Sequence, residues 1–186
     1  MRIIVQKFGG TSVASPEVRE LVVRKISQAQ NQGFTPVVVV SAMGRKGDKY
    51  ATDTLIELAK SAYRYIAPRE LDHMMYCGEM ISAVVMAGVL QSAGIDAVMM
   101  TGGQAGIITD NNFGNARILK VEPDVILKNL DEGKVPVVCG FQGITAEGEF
   151  TTLGRGGSDT TASALGVALN AEVVEIYTDV DGIMTA

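Results

Sequence analysis

Residues 36–41, Pro-Val-Val-Val-Val-Ser, form an unbroken apolar run with nothing to turn toward water. A strand of that composition is buried on both faces, as happens in parallel sheets covered by helices on each side. The rest of the chain agrees. Extended segments are expected at 2–8, 96–101, 135–139 and 173–178, and helical periods at 15–33, 52–65, 123–130 and 158–169. Residues 68–91 hold one longer helix or a broken pair, and glycine-rich turns suggest small hairpins between Gly106 and Ile118 and around Glu147-Gly148. Such alternation defines an α/β protein, expected as a three-layer α/β/α sandwich with a mostly parallel central sheet. The last strand is followed only by a loop, so the sheet's C-terminal edge is expected to be missing.

At 186 residues the expectation is one domain, large enough to bury roughly 70% of its unfolded surface. The apolar and charged shares, 47% and 20%, are those of a globular protein. A net charge of −5 argues against nucleic acid or anionic membranes as partners. No stretch reads as the roughly 20 apolar residues of a membrane span, and Met1–Lys7 reads as a strand, not a signal peptide, so a cytoplasmic protein is expected. Cys77 and Cys139 stand far apart, and His73 is the sole histidine. No cysteine–histidine metal site is expected, and catalysis must use Lys, Arg, Asp, Glu, hydroxyls and backbone amides.

Three strand-to-glycine-to-helix junctions place backbone N–H groups where an anion could sit. Lys7-Phe8-Gly9-Gly10 combines a cation with closely approachable backbone, though a tight βα turn explains it as well. Around Arg155, the run Gly154-Arg155-Gly156-Gly157-Ser158-Asp159 opens a helix; the arginine can grip a carboxylate bidentately, and Ser158 or Asp159 can cap the helix. Thr178-Asp179-Val180-Asp181-Gly182 follows the last strand and is either a capped turn or a nucleotide site. Glu79 enters an apolar helical face, as a dipole partner or as the counter-ion of a substrate ammonium.

Taken in order, these motifs, with Val40-Ser41-Ala42-Met43-Gly44, Gly78-Glu79 and Phe141-Gln142-Gly143, resemble the signature set of the aspartate kinases, which have the amino acid kinase fold. The resemblance covers essentially all 186 residues. Segment 45–53 is most similar to the diaminopimelate-sensitive bacterial isozymes. The resemblance implies that residues 1–186 are the N-terminal portion of the catalytic domain, with its remainder and two effector-binding domains lying beyond. It also implies MgATP and L-aspartate as ligands, and a homo-oligomer in the full-length form. By resemblance, Lys7, Phe8, Gly9, Gly10 and Ser41 meet the phosphates, and Thr178 and Asp179 line the nucleotide site. Glu79 meets the α-ammonium of aspartate. Arg155 meets a carboxylate, with Thr52, Gly156, Gly157 and Ser158 nearby, and Asp159 orients the catalytic Lys7.

The implied reaction suits a site with one histidine. A carboxylate with a pKa near ~4 is already ionised at neutral pH and needs no general base. The site has only to overcome repulsion between carboxylate and phosphates and align them. Two rivals stay open: another amino acid kinase acting on glutamate, acetylglutamate, carbamate or UMP, and a non-catalytic fragment that keeps the aspartate and phosphate half-site.

Overall fold

The computed structural model describes residues 1–154 and 156–178. Its main sheet contains β1 (Ile3–Phe8), β2 (Thr35–Val40), β3 (Ala97–Met100), β6 (Val135–Cys139) and β9 (Val173–Tyr177). The spatial order is β3-β6-β2-β1-β9, and every pairing is parallel. The valine run is thus the middle strand. Val38 and Val40 point into one apolar layer with Val22 and Ile26 of α1 (Pro16–Asn31) and Ala83, Met86 and Leu90 of α3 (Pro68–Ser92). Val37 and Val39 point into the other, with Ile126 and Leu130 of α4 (Asp124–Asp131) and Ala162 and Leu165 of α5 (Gly157–Ala168). Period-2 alternation with both faces buried is what the uninterrupted valines require. The expected three-layer arrangement follows.

Two features resolve or extend the sequence expectations. Of the two alternatives for residues 68–91, the longer helix is the one formed: a single 25-residue helix started by Pro68 at its first position. By length and composition α3 could cross a membrane, contrary to the reading above, but half of its apolar window is packed inside the protein. The buried acids Asp72 and Glu79 also lie along it. Second, the two expected hairpins join into one further sheet, ordered β5-β4-β7-β8, from β4 (Ile107–Thr109), β5 (Ile118–Val121), β7 (Gln142–Ile144) and β8 (Phe150–Thr152). β4 and β7 pair in parallel at Ile108 and Ile144, a contact between segments too short and too distant to show in a local pattern. This sheet lies against the N-terminal half of α3, where Phe150 stacks on Tyr76 with ring centroids 4.5 Å apart.

The helix starts also differ in detail. Ser15 occupies the N-cap position of α1, but its hydroxyl bonds to Glu17 and not to the first amides. α2 (Thr52–Ala62) packs beside α3 and carries the residues that reach back over the sheet's carboxyl edge.

Candidate active site

The carboxyl edge of the main sheet, the start of α2, the middle of α3 and the start of α5 enclose a cleft of about 530 Å³. Ligand sites in open α/β sheets lie at this edge. Lys7, Ser41, Thr52, Glu79, Gly156, Gly157, Ser158 and Asp159 all line it, although they are spread over some 150 residues of sequence.

Lys7 is on the α4/α5 side of β1, one residue before the strand ends. Only 7% of it is exposed, and its Nζ lies 2.8 Å from Oδ1 of Asp159 in the first turn of α5. α5 is preceded at its N-cap position by Gly156, whose φ of 74° lies in the left-handed region that glycine enters freely. No side chain caps this helix, so neither Ser158 nor Asp159 has the capping role expected for it. Among the described residues, its first-turn amides have no side-chain cap at the end of the dipole that favours anions, and that of Asp159 turns back on the Gly156 carbonyl. Close approach is built in: a Cβ on Gly157 would lie 2.5 Å from Phe141 Cδ2, and one on Gly140 would lie 2.7 Å from Ser158 Oγ.

Glu79 forms the opposite end. It sits three turns into α3, which removes the helix-start explanation for an acid there. Its exposure is 2%; Oε1 accepts a hydrogen bond from the Ala42 amide at 3.2 Å, and the buried Oε2 has no partner among the described residues. Burial pushes its pKa up to about 8, against the smaller opposing effect of backbone hydrogen bonds. The preceding Gly78 lets this turn press against its neighbours, because a Cβ there would lie 3.0 Å from that of Ala42 and 3.1 Å from Leu55 Cδ1.

Several expected residues have other places. Phe8 is buried in the core and stacks on Tyr177 with centroids 4.8 Å apart, so its side chain does not reach the cleft. The Gly9 amide donates to the Tyr177 carbonyl at 3.1 Å and is committed to the sheet, not to a phosphate. Gly10 is needed for packing, since a Cβ there would meet the Ala42 and Gly44 carbonyls at 2.5 and 2.7 Å. Thr178 borders a separate apolar hollow with Phe8, Leu21 and Lys25. Arg155 and Asp179 lie outside the described residues. In return, the cleft has Asp53, Ile56, Met75, Gly114, Phe141 and Leu153 in its lining; Asp53 and Phe141 fall in segments that carry the resemblance but have no site role there, and the other four stand outside the candidate set. Glycine- and lysine-based motifs announce themselves in a sequence, whereas these residues acquire their place only through tertiary packing.

A parallel sheet sandwiched by helices, with a lysine–aspartate pair and a buried acid lining one cleft at its carboxyl edge, defines an α/β protein built to bind a small charged molecule. The chain belongs to the amino acid kinase family, whose model matches residues 2–186. It is 50% identical over its whole length to aspartokinase 1 of Bacillus subtilis, covering 46% of that protein. It is 47% identical, again over its whole length, to the aspartokinase of Mycolicibacterium smegmatis, covering 43%. The chain therefore spans a little under half of these relatives. Among solved structures it superposes on aspartate kinase from Synechocystis with a TM-score of 0.78 at 45% identity, over 95% of this chain and 28% of that one. With E. coli aspartokinase III in complex with aspartate and ADP the TM-score is 0.79 at 26% identity, over 98% of this chain and 50% of that one.

Proposed function

We propose that this cleft is the aspartate- and phosphate-binding half of a kinase that moves the γ-phosphoryl group of ATP onto the side-chain carboxylate of L-aspartate, giving 4-phospho-L-aspartate. The observation that carries the reading is the buried Oε2 of Glu79, without a partner among the described residues and in the same cleft as the Lys7–Asp159 pair. A buried carboxyl oxygen without a donor is unfavourable unless a ligand supplies one. An α-ammonium does so, and it favours a free amino acid over acetylglutamate, carbamate or UMP, which lack that group.

At the other end, Lys7 supplies positive charge beside the transferred phosphoryl group, and Asp159 fixes its rotamer. The uncapped start of α5 adds amides directed at negative charge. Charge stabilisation in a partly enclosed cleft is worth more than in water and needs no rearrangement as the phosphoryl group moves. The carboxylate attacks directly, the P–O bond to ADP breaks, and no proton has to be removed from the nucleophile. Among the described residues no three His, Cys, Asp or Glu side chains converge on a metal position. Mg²⁺ therefore fits as the counter-ion that ATP brings, held mainly by phosphates and water, where it offsets charge on the nucleotide.

The similarity to aspartokinases supports the substrate assignment and, through it, a place at the head of lysine, threonine and methionine synthesis in the cytoplasm. Arg155 is assigned to a substrate carboxylate, Asp179 to the nucleotide side, and the whole to a homo-oligomeric enzyme, on resemblance alone. Trapping with hydroxylamine tests the reaction. In a longer protein that contains this chain together with the rest of the nucleotide site, MgATP and L-aspartate are expected to give aspartyl hydroxamate, with far less product from L-glutamate and little turnover by residues 1–186 alone. Equal product from the two amino acids would overturn the assignment.

A further inference from the structure

Asp72 is fully buried, with 0% exposure, one turn inside the start of α3. A carboxylate in such a place normally has a cation or loses its charge. Here three neutral donors hold it. Its Oδ2 accepts from the Thr152 amide at 2.9 Å and the Gly114 amide at 3.0 Å, and Oδ1 accepts from the Thr152 hydroxyl at 2.8 Å. Burial raises its pKa, and these same three bonds oppose the rise.

The placement of the partners gives the bonds their meaning. Asp72, Met75 and Glu79 stand at i, i+3 and i+7 on one face of α3, and the latter two line the cleft. Gly114 lines it too. Thr152 ends β8, and the next two residues, Leu153 and Gly154, are cleft wall leading into the glycine loop and α5. Asp72 therefore joins the helix carrying the Glu79 end of the cleft to both segments of the opposite wall. Other ties between α3 and the small sheet join different points. Arg69 pairs with Glu149 in the hairpin loop at 2.7 Å, and Phe150 packs on His73 and Tyr76. Tyr76 donates to the Gly143 carbonyl at 3.2 Å, and Gln142 donates to the Tyr76 carbonyl at 2.8 Å, but none of these ties reaches Gly114 or the end of β8 at Thr152.

We propose that Asp72 is a positioning residue that fixes the span between Glu79 and the glycine loop after β8, and so sets the length of amino acid the cleft accepts. The proposal rests on the aspartate reading above. A wall held by three bonds to one rigid helix cannot retreat to admit another methylene. With the tie cut, the loop can yield and the longer substrate is penalised less. Asparagine can preserve the network: its Oδ1 accepts both amides, and its Nδ2 donates to the Thr152 hydroxyl, which rotates to accept. Alanine leaves the buried amide and hydroxyl of Thr152, and the part-buried amide of Gly114, without this acceptor.

The test is the ratio of L-aspartate to L-glutamate affinity, measured by amide NMR titration of this chain and its variants. Wild type should prefer aspartate by ~10-fold or more, the scale expected for one methylene in a fitted pocket. Asp72→Asn should keep that ratio, and Asp72→Ala should lower it at least ~5-fold, mainly by sparing glutamate. A purely structural role would weaken both ligands in proportion, so an unchanged ratio in folded Asp72→Ala overturns the proposal. Should Asp72→Ala fail to fold, Thr152→Val is read the same way, because it removes one of the three bonds and keeps the side-chain shape. A wild-type chain that binds neither amino acid refutes the aspartate reading itself and takes this inference with it. Binding of aspartate with no discrimination against glutamate in wild type sinks the length-setting role alone.

Discussion

Nζ of Lys7 and Oδ1 of Asp159 lie 2.8 Å apart, and this pair joins the end of β1 to the first turn of α5 across the floor of the cleft. The lysine is almost fully buried, whereas the aspartate side chain is about half exposed, so the pair fixes geometry more than it stabilises the fold. In a catalytically competent protein with this sequence, Lys7→Ala should lower kcat by ~10²–10³ through loss of charge stabilisation. Because Lys7 is buried and not exposed at its head, a stability loss of about 1–2 kcal/mol should accompany it. Asp159→Asn keeps an acceptor for the lysine and should fall between wild type and Lys7→Ala. Steady-state kinetics with thermal melts of each variant check both statements.

If Glu79 reads the substrate ammonium as proposed, its burial makes aspartate binding depend on pH. Its folded pKa, raised from 4.5 to about 8, means that the neutral acid is the form the fold prefers. Its stabilising contribution is therefore full below the unfolded pKa and is lost as pH rises from about 4.5 through about 8. The loss should be on the order of 4 kcal/mol across that window. Urea unfolding at pH 5 and pH 9 should show this fall in wild type and little of it in Glu79→Gln, which stays neutral. If both proteins lose stability equally, the burial argument is wrong.

A buried acid that must ionise to meet an ammonium gives up a proton. Aspartate binding near pH 7 should accordingly release close to one proton from Glu79. Calorimetric titration in phosphate and in Tris would then give enthalpies that differ by nearly the difference in buffer ionisation heats. Identical enthalpies in the two buffers would contradict it.

Gly157 and Gly140 hold α5 against the end of β6. Adding a methyl at 157 places carbon 2.5 Å from Phe141 Cδ2 and 2.9 Å from Leu153 Cβ, both inside contact distance. Gly157→Ala should destabilise by about 1–3 kcal/mol, the usual range for overpacking. It should also lower kcat disproportionately, because the displaced helix carries Asp159 away from Lys7. Gly148→Ala is a useful contrast: nothing lies within 4 Å of its added Cβ, and its cost is the positive φ of 89° alone, far from the cleft.

The sheet was legible because Val37–Val40 admits one environment, and parallel neighbours follow from the helices between the strands. The small sheet was not, since β4, β7 and β8 have three residues each and β4 pairs with a strand 36 positions away, at Ile108 and Ile144. Lys7, Glu79 and Asp159 could be marked from motifs that resemble a family. Asp72 could not. An acid near the start of a helix usually serves the dipole, and its actual partners, Gly114 and Thr152, lie 42 and 80 residues further along. Gly9 erred in the other direction: a glycine beside a lysine suggests phosphate, while its amide is used by the neighbouring strand.

The central claim is that Glu79 reads the ammonium of aspartate in this cleft. Titrating L-aspartate and succinate into the wild-type chain and into Glu79→Gln tests it most directly. Succinate has the same two carboxylates and no amine. The account predicts saturable aspartate binding by wild type, at least ~10-fold tighter than succinate, and loss of that preference in Glu79→Gln. Equal affinity of wild type for the two diacids, or an aspartate preference that survives in Glu79→Gln, would contradict it.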